Sequence, residues 1–328
     1  MLGLVLVDLP GEESLRWIVS RYAALRVGHA SGIGEPALVQ PTAEDFPDEF
    51  TLSAEGVGGF LTRMLEYAPV AADLDVRLRV VEAADAGGGG GCGAQACGSG
   101  SCGVEARSLG DRVIEVDEGY IVELPTTAAG HPLRLAAALA RSVGTIVLLE
   151  AGEAIDAKEV GAMSEIAAAA IGLGVLLLGG SYLFGKSCGG VRVEQATHLD
   201  VMELSVAVAL FARLHGHKPA HAKRHLEVTQ REALGEAFAW VDSNPDVLAE
   251  LCERPEALAD GVFRIRPAHG ILGVLIRRWF GGGRTAEAPD AIPAPSQRTP
   301  RSEEEQKRLD RARALVEEAL GAAGSEGE

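Results

Sequence analysis

The sequence predicts an α+β protein: an N-terminal mixed α/β layer with a small sheet, followed by an α-helical C-terminal bundle. Three observations carry that expectation. Strand and helix patterns alternate over the first third of the chain, and from Pro132 onward the apolar period becomes helical and stays so. Apolar residues make up 47% and mean hydropathy is +0.12, enough material for a buried core and too much for global disorder. At 328 residues the chain suits one large domain or two ordinary ones.

The elements follow in order. Residues 2–8 of the apolar start, MLGLVLVDLP, read as a strand. The stretch has no basic leader, meets Asp8 and Pro10 and offers no small-residue cleavage site, so it does not resemble a secretory signal. Residues 13–26 place Leu15, Trp17, Ile18, Tyr22 and Leu25 at helical spacing. A Gly/Pro-rich loop follows. Ser53 then suits the N-cap of a helix carrying Val57, Phe60, Leu61, Met64 and Leu65. In DLDVRLRV the alternation of Leu74, Val76, Leu78 and Val80 with polar partners predicts a half-buried strand. RVIEV and YIVEL, joined by Asp117-Glu118-Gly119, predict a hairpin.

Pro132 suits a first helical turn, and that helix is expected to reach about Glu150. Further helices are expected at about 158–184, 200–215 and 219–242, with shorter pieces to 280 and a break at Asn244-Pro245. The organisation read from these patterns is residues 1–130 as the α/β region with a Cys/Gly-rich insertion at 83–103, and 131–280 as the helical region packed on it. Residues 281–301 read as a flexible Gly/Pro/Ala linker, and 302–321 as a C-terminal amphipathic helix opened by a Ser302/Glu305 capping box.

The formal net charge is −17. So acidic a chain offers no electrostatic footprint for a phosphate backbone, which argues against nucleic acid as a partner. The 20 uncharged residues 166–185 are long enough to span a bilayer, but their five Gly and four Ala fit a core helix better. Five cysteines without an export signal argue for reduced thiols or metal ligands in a cytoplasmic protein.

Chemistry-bearing residues fall in three places. Cys92, Cys97 and Cys102 recur every five residues in GGGGGCGAQACGSGSCG, where glycines let a chain fold its thiolates around one soft ion. With Cys188 as a fourth ligand they form a candidate zinc or iron–sulfur site; a redox thiol pair and a passive loop remain open readings of the same residues. In HGHKPAHAKRHLE, Pro219 opens a helix whose His221 and His225 would share one face, near His215 and His217, and Ala222 stands where a metallopeptidase needs its Glu. In KSCGG, Gly189-Gly190 reads as the end of a helix. Walker, GxSxG and dinucleotide fingerprints are absent from the sequence.

The segment VELPTTAAGHPLRLAAALARSVGTIVLLEAG, followed by SEIAAAAIGLGVLL, resembles the core of zincin-like metallopeptidases of the phage-repressor-cleaving type. In that family a helix bears H-E-x-G-H and the next helix supplies a Glu. Here Arg141, Ser142, Val143, Gly144 and Thr145 stand at the motif, and Glu165 stands at the third-ligand place. The resemblance therefore implies a zincin-like α+β order with the metal-ligand motif degenerate and no catalysis at this position. The function expected is that of a non-catalytic cytoplasmic regulatory or scaffolding protein acting on a protein partner through 302–321, with the Cys loop as a metal or redox element. The alternative is a metal- or thiol-dependent enzyme using the Cys cluster, and a membrane-spanning role for 166–185 is the third class.

Overall fold

The computed structural model describes residues 9–28, 36–82, 109–153, 156–187 and 190–267. The chain divides into a unit of residues 1–279, to which all of these belong, and a second unit of residues 280–328. The strand expected at 2–8, the Cys/Gly-rich insertion, the linker and the C-terminal helix lie outside the described residues.

Helix α1 (Glu12–Gly28) buries Leu15, Ile18, Tyr22 and Leu25 as expected, adds Val19 and Ala23, and leaves Trp17 half-buried. Helix α2 (Ala54–Leu65) starts where Ser53 accepts a hydrogen bond from the Gly56 amide. Gly56 has a steric reason: a Cβ there would lie 2.3 Å from the Thr51 carbonyl oxygen. Gly58 and Gly59 have none, since a Cβ would meet nothing within 4 Å, yet each costs the helix about 1 kcal/mol relative to Ala.

Strands β1 (Asp75–Val81), β2 (Arg112–Val116) and β3 (Gly119–Pro125) form a sheet of order β1-β3-β2. β2 and β3 make the expected antiparallel hairpin, and β1 joins the other side of β3 in parallel. Register is pinned at Glu123, which opposes Arg79 on β1 and Arg112 on β2 and ion-pairs with both. Hydrogen bonding from Arg112 and then Arg79 holds its carboxyl below the usual range.

After a single turn, α3 (Thr126–Ala129), comes α4 (Pro132–Glu150), the longest described helix, with Pro132 in its first turn. It is long and apolar enough to cross a membrane, and 72% of its apolar window is buried inside this unit. The apolar stretch after it is not one helix. α5 (Val160–Ala170) and α6 (Gly174–Ser181) are separated by a turn at Ile171-Gly172-Leu173. Gly172 takes φ +97, and a Cβ there would fall 2.0 Å from the Ala37 carbonyl oxygen. Its own carbonyl accepts from the Val39 amide at 3.1 Å, so the break is where the 36–40 segment crosses the core.

The chain does not end a helix at KSCGG as expected. It becomes extended at Tyr182, and β4 (Leu183–Ser187) pairs antiparallel with β5 (Gly190–Glu194). Helix α7 (Val201–Leu214) opens with a complete capping box between Asp200 and Glu203 and buries ten of its residues. The helix expected at 219–242 is two: α8 (Pro219–Ala222) and α9 (Val228–Ser243). Asn244 then separates α9 from α10 (Pro245–Glu253), followed by α11 (Glu256–Ala259). This Asn, the chain's only one, is buried and fully used. Its amide nitrogen donates to the Trp240 and Arg266 carbonyls, and its oxygen accepts from the Arg266 amide. The result is an α+β fold with helices α4, α5, α6 and α7 in its core, joined there by buried residues of α1, α2, β3 and α9.

Candidate functional site

The most concentrated buried charge sits between α4 and α5. Arg141 faces inward from the middle of α4, and Asp111, just before β2, takes two hydrogen bonds from it: Nε at 2.9 Å and Nη2 at 2.7 Å. Nη1 donates to Glu165 Oε1 on α5 at 2.9 Å and to the Ala196 carbonyl at 3.0 Å. Glu165 also accepts from the backbone amides of His198, at 2.7 Å, and Leu199, at 2.8 Å. The side chains of Arg141 and Asp111 are 5% exposed and that of Glu165 not at all.

Two helices can approach closely enough to build this cluster because of Gly144. A Cβ at that position would lie 2.0 Å from the Ser164 carbonyl oxygen, so only glycine lets α4 rest on the α5 backbone. One turn from Arg141, Thr145 Oγ1 meets Ser164 Oγ at 2.9 Å. Burial works against charge on Arg141, but Asp111 and Glu165 outweigh it and raise its pKa. Glu165 goes the other way. Burial pushes its carboxyl up to about 7, against the pull of Arg141 and the two backbone amides. One guanidinium facing two buried carboxylates leaves a net negative charge, and protonating Glu165 removes it.

These residues do not fit a zinc ion. The positions that the zincin-like resemblance assigns to two histidines hold Arg141 and Thr145, and both oxygens of Glu165 already accept hydrogen bonds. A fixed cation beside the remaining carboxylate repels a second one. Among the described residues no group of three or more His, Cys, Asp or Glu is arranged to hold a metal ion.

The sequence-derived cysteine site, Cys92, Cys97, Cys102 and Cys188, lies outside the described residues. Cys252, on α10, is a free, exposed thiol. The histidines gather in another way than helical spacing predicts. α8 ends at Ala222, so His225 leaves the helix that carries His221. Both nevertheless line, with His217 and Arg224, an open cavity of about 220 Å³ whose opposite wall includes Gln40, Glu44 and Asp45. His217 stacks on Phe211 at 5.6 Å, and its Nε2 lies 3.2 Å from the Pro36 carbonyl. Burial, Arg26 and His217 together lower the His215 pKa to about 4.

Two members of these clusters escape sequence reasoning. Asp111 is a lone acid at the end of a Gly-rich stretch, and Gln40 lies in a Pro-rich loop; neither has a spacing signal. What fold and site define is an α+β protein with a helical core closed around a buried Arg–carboxylate cluster. No family model, curated protein or solved structure matches the chain.

Proposed function

We propose that the chain is a non-catalytic, cytoplasmic regulatory or scaffolding protein that acts through protein partners. Segment 302–321 would serve as a docking element and the Cys loop as a metal or redox element. One observation carries the non-catalytic part: the Arg141 guanidinium, held by Asp111 and Glu165, fills the α4/α5 junction. That is where the resemblance to zincin-like metallopeptidases would place a catalytic ion, which needs neutral imidazoles or carboxylates around it. The acidic balance of −17 further favours basic protein surfaces over nucleic acid.

Two measurements test the reading. Purified chain incubated with denatured casein and added zinc should release no peptides; zinc-dependent cleavage that disappears in Glu165→Gln would overturn it. Partners recovered from the native cell on the intact chain, identified by mass spectrometry, should be lost when residues 281–328 are deleted, with the far-UV circular dichroism of the rest retained. Recovery indifferent to that deletion would remove the C-terminal segment from the proposal.

A further inference from the structure

We propose that a groove between residues 41–50 and α2 is the docking site for a basic, apolar-anchored peptide segment of a partner protein. This rests on the partner-binding reading above but uses a different surface from 302–321.

The groove, of about 490 Å³, is built from an aromatic floor and an acidic rim. Phe46 and Phe60 pack at 4.5 Å between ring centroids, and Phe50 meets Phe60 edge-on at 5.6 Å. Apolar surface is left in water here: the Phe50 ring in the lining is 42% exposed, and Leu52, two residues on in sequence, is 62% exposed. Gly56, Gly59, Phe60 and Arg63 recur on the α2 face that lines the groove. Gly59 explains itself here: it weakens the helix and touches nothing, but any side chain at that position would fill the space. The rim carries Asp48, Glu49 and Glu55, all exposed. The cation of the lining, Arg63, is engaged by Glu66 and lies 3.9 Å from Asp48. Glu49 and Glu55 have no ion pair among the described residues.

That charge selects the occupant. Phosphate-bearing ligands and anionic lipid surfaces are repelled by three carboxylates, and a second copy meeting this face symmetrically would bring an identical acidic rim against it. A segment with a bulky aliphatic or aromatic anchor for the Phe46/Phe60 floor, flanked by Lys or Arg, meets both features at once, with Arg also able to stack on the rings.

The test uses random twelve-residue peptides displayed on phage, selected on the immobilised full chain. Enriched peptides should carry a net positive charge around one large apolar residue. Synthesised and labelled, they should bind the wild-type chain by fluorescence anisotropy, more weakly as salt rises. Gly59→Leu should weaken binding at least tenfold while leaving the thermal transition unchanged or higher. The charge reversal Asp48→Lys/Glu49→Lys/Glu55→Lys, on exposed positions, should do the same and stands in if Gly59→Leu folds poorly. No enrichment over an unrelated bait, enrichment of neutral or acidic peptides, or binding unaffected by the variants would overturn the proposal. So would a wild-type dimer, seen by sedimentation, that Gly59→Leu converts to monomer. Failure here with partners still captured through 281–328 would dismiss the groove and leave the broader function standing.

Discussion

Arg141 spends every hydrogen bond it makes on buried acceptors, and removing it would strand two carboxylates in the core. Arg141→Met is expected to cost about 3–5 kcal/mol in urea denaturation, the range for breaking a buried ion pair from one side. A cost below about 1 kcal/mol, as for an exposed pair, would mean the cluster is solvated. Glu165 adds a pH dependence. Its folded pKa of about 7 lies above its ordinary 4.5, so between those values the folded chain holds a proton that the unfolded chain has lost. This contribution is fully present below about pH 4.5 and disappears as pH rises through about 7. Urea midpoints at about pH 5 and about pH 8 should therefore fall more for the wild type than for Glu165→Gln. Parallel changes in the two proteins would assign the proton elsewhere. Glu165 and Gly144 could be singled out from the sequence through the motif they resemble. Asp111 could not, because an acid thirty residues before Arg141 in sequence leaves no local periodicity with it.

Helices and strands are legible where local patterning sets them, and misread where a distant segment intrudes. α1, α4 and α7 fall within two residues of the bounds that their apolar periods predict, and α2 starts at the expected Ser53 cap. The 166–185 stretch reads as one helix because all its residues are apolar or small; the break at Gly172 is imposed by the Ala37 carbonyl, which no window along the stretch contains. The β1–β3 pairing is likewise non-local and joins strands separated by the whole Cys/Gly-rich insertion. Two element-level variants follow. Gly144→Ala would drive a methyl group into the Ser164 backbone, where no rotamer can relieve the contact. A loss of about 3 kcal/mol, or failure to fold, is expected by chemical denaturation; tolerance would mean that α4 and α5 can slide apart. Asp200→Ala removes the acceptor for the Met202 and Glu203 amides and should cost about 1 kcal/mol in the same assay, with Asp200→Ser recovering most of it.

On the scale of the whole molecule, self-repulsion sets a condition that no single contact reveals. Residues 280–328 hold ten acids and seven bases, so most of the net −17 resides in the unit ending at Trp279. A chain ended after residue 279 should therefore keep both the cooperative unfolding and the salt response of the intact protein. Added salt screens exposed carboxylates over a Debye length of about 8–10 Å but reaches the Arg141 cluster weakly, because those side chains are 5% exposed or less. Melting temperature should then rise from low to moderate salt by about 2–4 °C for each 1 kcal/mol of repulsion removed. Scanning calorimetry of both chains in sodium chloride checks this. A lower melting temperature with salt would mean that the surface ion pairs outweigh the net charge. A salt response confined to the intact chain would place the repulsion in residues 280–328, against the distribution of charge along the sequence.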